Sequence, residues 1–131
     1  MIVDTSAIVA ILRDEPEASR FESILEKAQG CRISAANYLE AACVIDSVRD
    51  PLVSARLDDF LREAMCEIEP VSANQARLAR QAYRDYGKGS GHAAQLNFGD
   101  CFAYALAKEK HQPLLFKGQD FCHTDVAQIK L

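Results

Sequence analysis

Four carboxylates stand where an apolar run ends or a helix can begin. Asp4 closes Met1-Ile2-Val3-Asp4, Glu40 lies in Asn37-Tyr38-Leu39-Glu40, Asp100 in Asn97-Phe98-Gly99-Asp100, and Asp120 in Gly118-Gln119-Asp120-Phe121. Brought together they would repel: two unit charges about 4 Å apart cost roughly 4 kcal/mol at the effective dielectric of a protein edge. Such a cluster needs shared protons or a divalent cation, and hard ions such as Mg²⁺ take oxygen donors and few protein groups. Each acid also has an ordinary explanation. Asp4 can cap a helix starting at Thr5, and Asp100 can be the acid of a capping arrangement opened by Asn97. Glu40 can be a helix residue, half-buried beside Leu39, Ala41 and Ala42, and Asp120 can form a turn after Gly118. Four acids at one rim are harder to explain as four independent accidents.

The elements that must position them alternate between strand and helix. Met1 to Val3 reads as a short strand, followed by a helix from Asp4-Thr5-Ser6 and a second helix from Pro16 to near Gly30. Cys31-Arg32-Ile33 is a brief strand, and Ser34 caps the helix that carries Glu40. Asp50-Pro51 is an N-cap followed by proline at the first helical position. Cys66 to Val71 is strand-like, Ser72 caps the next helix, and Gly87 is placed to end it. Asn97 can cap a helix through Leu106, Pro113 to Phe116 is a buried strand, and Gln128 to Leu131 is a candidate edge strand. The pattern predicts an α/β fold with a mostly parallel sheet of about four to five short strands flanked by helices. In open sheets of that kind ligands bind beyond the carboxyl ends of the strands. That rule selects the same four acids.

A length of 131 residues favours one domain over residues 1–131, with a core of ordinary size. The acid after Val3 interrupts any leader-like apolar run, and the longest apolar stretches fall short of a membrane span, so a soluble, cytoplasmic protein without membrane contact is expected. Five cysteines, Cys31, Cys43, Cys66, Cys101 and Cys122, form no Cys-x-x-Cys pair with the three scattered histidines, which argues against zinc. Most are expected to be small buried hydrophobes, with Cys43 and Cys101 on apolar helix faces. A net charge of −4 excludes a protein that coats nucleic acid through a broad basic face. A local basic patch remains: Arg77, Arg80, Arg84 and Lys88, running into Gly87-Lys88-Gly89-Ser90-Gly91-His92, equally readable as a solvated helix face and loop.

The ordered set Ile2-Val3-Asp4-Thr5-Ser6-Ala7, Tyr38-Leu39-Glu40, Asn97-Phe98-Gly99-Asp100-Cys101 and Gly118-Gln119-Asp120-Phe121 resembles the PIN-domain ribonucleases, and within them the VapC-type toxins of bacterial toxin–antitoxin pairs. The resemblance runs over nearly the whole chain. It implies a single PIN-like domain in which Asp4 and Asp100 are the main ligands of Mg²⁺, with Mn²⁺ as a substitute. Glu40 and Asp120 would complete the site directly or through water. Ser6 would orient Asp4 or a water, and Asp125 is a further acid whose membership stays open. The implied reaction is endonucleolytic cleavage of RNA by cation-activated water, with no serine or cysteine nucleophile. Arg84, Lys88, His92 and Lys117 are candidates for RNA phosphates, and Tyr83 or Tyr86 for a stacked base, although packing suits Tyr83. The implied partners are RNA, a cognate antitoxin and a second copy of the chain. Ile8, Ile11, Leu12, Phe21 and Leu52 are candidates for an antitoxin groove and equally for core.

Three rivals share the α/β pattern. A haloacid-dehalogenase-type phosphatase wants a second acid two residues after the first, where Ser6 stands. A receiver-like signalling domain would use Lys117 after a late strand, but no acid adjoins Asp4 and no phospho-acceptor aspartate ends a middle strand. A housekeeping PIN nuclease that processes RNA without an antitoxin would carry the same acids.

Overall fold

The computed structural model describes residues 1–130. Its four strands are β1 (Ile2–Val3), β2 (Cys31–Ser34), β3 (Cys66–Glu69) and β4 (Leu114–Leu115), and its six helices are α1 (Thr5–Leu12), α2 (Ala18–Ala28), α3 (Ala35–Asp46), α4 (Pro51–Glu63), α5 (Ala73–Tyr86) and α6 (Phe98–Lys110). The strands lie in the order β3-β2-β1-β4 and every pairing is parallel. This is the expected α/β sheet.

Side chains alternate across a strand, so each strand divides its residues between two faces. Ile2 and Leu114 join the cluster built with α5 and α6, which includes Leu96, Leu106 and Phe121. Val3, Ile33 and Leu115 join the opposite cluster, built with α1 to α4 around Ile8, Phe21 and Leu61. A sheet covered on both faces needs continuous apolar strands, and Ile2-Val3 and Leu114-Leu115 are fully buried. Ile8, Ile11 and Phe21 are therefore core and unavailable to an antitoxin groove, whereas Leu52 is 79% exposed. Edge strand β3 carries charge on one face: Arg32 Nε of β2 lies 3.6 Å from Glu67 and 3.3 Å from Glu69, and charged side chains on an edge strand discourage further pairing.

Caps fix where the helices start. Asp4, Ser34, Asp50, Ser72 and Asn97 each accept a backbone N–H from the first turn of α1, α3, α4, α5 and α6. The third strand stops at Glu69, short of the expected Val71, because Pro70 has no N–H to continue the ladder. Gln128 forms a single parallel bridge to Leu114 instead of a strand, and Leu131 lies outside the described residues. Cys31 and Cys101 are buried, but Cys43 is exposed, which corrects its placement on an apolar face. No helix among the described residues is long and apolar enough to cross a membrane.

Gly87 ends α5 as expected, but for a different reason. Its backbone is extended, at φ −73° and ψ 162°, so no left-handed conformation requires glycine there. Instead an added Cβ would fall 2.4 Å from the Tyr83 carbonyl oxygen and 2.6 Å from its ring. The same glycine pairs across to Leu96 and closes the glycine-rich loop at its base. Gly87→Ala should lower stability by about 1–3 kcal/mol through this overpacking, read as an earlier denaturant midpoint with unchanged slope; an unmoved midpoint would show that the helix end relaxes freely.

Candidate active site

The carboxyl ends of β1, β2 and β4 open onto one rim. Asp4 follows β1, and its N–H continues the ladder by donating to Leu115 O at 2.9 Å. Its Oδ2 accepts from Ser6 N at 3.0 Å and from Ser6 Oγ at 2.6 Å. The Ser6 hydroxyl in turn accepts from Lys117 N at 2.9 Å, which ties the chain leaving β4 to the start of α1. Ser6 therefore holds Asp4 in place and links two strand ends.

Asp100 enters from the first turn of α6. Its Oδ2 accepts from Asn97 N at 3.0 Å while Asn97 Oδ1 accepts from Asp100 N at 2.9 Å, a reciprocal capping box. The ordinary explanations for Asp4 and Asp100 are thus real, and both caps fall on Oδ2.

Glu40 sits on α3 and is exposed rather than half-buried, as is Leu39 beside it. Its carboxylate nonetheless lies across the start of α6. A Cβ at Gly99 would fall 2.3 Å from Glu40 Oε2, so glycine is what lets this acid approach. Asn37, one turn earlier and fully buried, donates from Nδ2 to Gly99 O at 3.0 Å and to Glu40 Oε1 at 3.4 Å. Its backbone oxygen accepts from Thr5 Oγ1 at 3.0 Å, locking α3 to α1. Thr5, Asn37 and Gly99 are the residues that sequence reasoning left without a role. An amide three residues before Glu40, on the buried face of a helix, was the signal available.

Electrostatics join all four acids. Burial pushes the Asp4 carboxyl up to about 6 despite the Ser6 hydrogen bonds, and the Glu40 charge adds to the rise. Burial likewise pushes Asp100 up to about 7, with the charges of Asp4 and Asp120 and a hydrogen bond donated by the protonated Asp100 to Asp120 contributing. Asp120 itself is exposed in the turn after β4. Crowded, desolvated acids keep a proton unless a cation replaces it. Asp125 is not one of them: it accepts from Tyr104 Oη at 2.5 Å and from Lys108 Nζ at 3.0 Å, further along α6.

The basic candidates divide. Lys117 Nζ is 2.8 Å from Glu15 and 3.2 Å from Glu17, so its charge is balanced by those two acids. His92 shapes its loop, accepting from Ala94 N at 3.0 Å with its ring edge-on to Tyr86 at 4.8 Å. Arg84 and Lys88 are exposed at the end of α5. Tyr86 packs between His92 and Tyr104, whereas Tyr83 is 48% exposed, the reverse of the expected assignment.

Oxygen donors dominate this rim. The buried Asn37 Oδ1 has no hydrogen-bond partner, and its amide cannot be turned round because Gly99 O needs the donor. A buried orphan oxygen on a side chain that also contacts the Glu40 carboxylate suits a hard cation with its waters. Among the described residues no three or more His, Cys, Asp or Glu side chains stand close enough together to hold a metal ion by themselves.

Residues 1–127 match the PIN domain. Ribonuclease VapC28 of Mycobacterium tuberculosis is 58% identical over 126 residues, covering 96% of this chain and 95% of that protein. The chain belongs to the PIN-domain family, in its VapC group. Two solved structures share the PIN fold of this VapC-group chain: VapC20 of M. tuberculosis, a sarcin–ricin loop cleaving toxin, with TM-score 0.75, 14% identity and 99% and 98% of the two chains covered; and a toxin–antitoxin complex from Klebsiella pneumoniae, with TM-score 0.72, 17% identity and 95% and 92% covered.

The raised carboxyls make stability depend on pH. Unfolded, both aspartates ionise near 4; folded, near 6 and 7. Between those values the folded PIN domain binds more protons than the unfolded chain, so its stability falls as pH rises. The increment is complete below about 4 and gone above about 7. Denaturant melts in chelator should show this decline, and the double variant Asp4→Asn, Asp100→Asn should flatten it. A decline of equal size in the double variant would locate the titration elsewhere.

Proposed function

We propose that this protein is a metal-dependent endoribonuclease toxin, held in check by a cognate antitoxin and acting on RNA in the cytoplasm. The observation that carries the reading is the electrostatic crowding of Asp4, Glu40, Asp100 and Asp120 at the carboxyl edge of a parallel sheet, in a chain of the VapC group. Asp4 and Asp100 would hold Mg²⁺, or Mn²⁺ in its place, with Glu40 and Asp120 contributing directly or through water. The bound ion supplies positive charge against the phosphodiester and makes a water nucleophilic near neutral pH.

The chain's own residues supply the rest. Burial raises the proton affinity of both Asp4 and Asp100, so each would have to lose its proton to serve as a ligand, and loading would be linked to pH. Ser6 fixes Asp4, and Asn37 with Gly99 fixes Glu40, so that the carboxylates are oriented before substrate arrives. Attack of water on phosphorus breaks the bond to the leaving ribose oxygen, and no protein nucleophile is needed. Cys101 supports this, since it is buried and turned to Asn97 O.

Arg84 and Lys88 are the cations we assign to flanking phosphates. An antitoxin is supported by the solved toxin–antitoxin complex of this fold. A homodimer belongs to the same proposal and is supported by the 78% exposed Phe98, an apolar ring at the start of α6; sedimentation of the purified protein reads it.

Asp4→Asn or Asp100→Asn should reduce RNA cleavage at least about a hundredfold while leaving the circular dichroism spectrum unchanged, and chelation should do the same until Mg²⁺ or Mn²⁺ is restored. Full activity in both purified variants would remove the acids from the chemistry. Growth arrest on expression alone, relieved by the neighbouring gene, separates a toxin from a housekeeping nuclease. For the phosphate contact, Lys88→Ala should weaken binding to a single-stranded oligonucleotide by a protein already carrying Asp4→Asn, and reduce the salt slope by about 0.7; an unchanged slope assigns Lys88 to solvent.

A further inference from the structure

At the opposite edge of the sheet, where the strands start, two cysteines face each other. Cys31 is the first residue of β2 and Cys66 the first of β3, and the two are register partners on adjacent parallel strands. Both pack into the same cluster on the same face of the sheet, Cys31 buried and Cys66 half-buried. Neighbouring strands run about 4.8 Å apart, inside the range of roughly 4.4–6.8 Å between Cα atoms that a disulfide spans. Neither residue has a part in the acid rim, which lies beyond the other ends of the strands.

We propose that Cys31 and Cys66 are an oxidation site, forming an intramolecular disulfide when the folded protein meets a hydroperoxide. A cleft of about 370 Å³ lined by Met1, Gln29, Gly30, Cys31 and Met65 gives a small oxidant a way in. The thiols also polarise one another. A hydrogen bond from Cys66 holds the Cys31 thiol below its ordinary value, with the Met1 ammonium assisting, while the same bond and burial push Cys66 up. Cys31 is thus the thiolate that attacks.

The step balances with hydrogen peroxide as oxidant. The Cys31 thiolate takes one peroxide oxygen, the O–O bond breaks, and the departing hydroxide leaves as water after gaining a proton. Cys66 sulfur then attacks the Cys31 sulfenic acid, the S–O bond breaks, and a second water leaves with the Cys66 proton. Two thiols lose two hydrogens and two electrons, and one peroxide becomes two waters. The product ties edge strand β3 to β2. Cys43, Cys101 and Cys122 have no cysteine opposite them in the sheet.

Peptide mass mapping tests this on the native full-length protein after graded hydrogen peroxide, with free thiols alkylated under denaturing conditions. The Cys31 and Cys66 peptides should appear joined and lighter by two hydrogen atoms, and separate again on reduction, at doses that leave Cys43 alkylatable. Cys66→Ser should leave Cys31 unpaired and trapped by a sulfenic-acid reagent, and Cys31→Ser should leave Cys66 alkylatable. Recovery of the two wild-type peptides as separate species, alkylated or over-oxidised, overturns the proposal. So does a bridge that uses Cys43 or Cys122 instead.

Discussion

Four negative charges on one small rim set the terms for the rest of this domain. Nothing in a sheet of four short strands favours such crowding, so the scaffold must supply what opposes it. It does so with helix starts. Asp4 caps α1, Asp100 closes the capping box of α6, and Ser34 opens α3 one turn before Asn37. The positive ends of aligned peptide dipoles therefore point toward the acids. Parallel topology makes this possible, because every strand delivers its chain to the same edge before a helix begins. The residual repulsion remains as raised proton affinity at Asp4 and Asp100, which a cation can exploit.

Much of this was legible in the chain itself. Caps, apolar spacing and the prolines located every helix, and the strand ends located the acids, because these features depend on residues close in sequence. What escaped depends on contacts between distant segments. Gly99 looked like part of a motif, yet its function is to leave space for Glu40, fifty-nine residues away in sequence. Gly87 read simply as a helix stop, yet what excludes a side chain there is the Tyr83 carbonyl and ring. Lys117 looked available to phosphate until Glu15 and Glu17, on the loop between α1 and α2, proved to face it. Asp125 was undecidable because its partners Tyr104 and Lys108 are set by how the last turn packs on α6.

These long-range pairs also explain why the site is polar without being loose. Lys117 with Glu15 and Glu17 pins the segment that leaves β4 beside the rim, and Asp125 with Tyr104 and Lys108 fastens the last turn to the far part of α6. Exposed ion pairs of this kind contribute little stability individually. Their value is positional. The Lys117 pair anchors the chain whose backbone N–H binds Ser6, and Ser6 holds Asp4. Disturbing the pair would reach Asp4 through two hydrogen bonds without touching any carboxylate of the cluster.

The double duty of Asp4 and Asp100 decides which substitutions are informative. Each uses Oδ2 to hold a helix start, so alanine would remove a cap together with a charge and lose about 1 kcal/mol of stability besides. Asparagine is as good a cap as aspartate and keeps the acceptor oxygen, but it carries no charge. At Asp4 the amide would still accept from Ser6 N, and at Asp100 it would still accept from Asn97 N. The fold should then be retained, and even relieved of repulsion, while the affinity for a hard cation falls. A scaffold whose proposed reactive groups are also its helix caps would thus separate folding from chemistry at the level of a single atom: one carboxylate oxygen serves the helix, and the charge would serve the site.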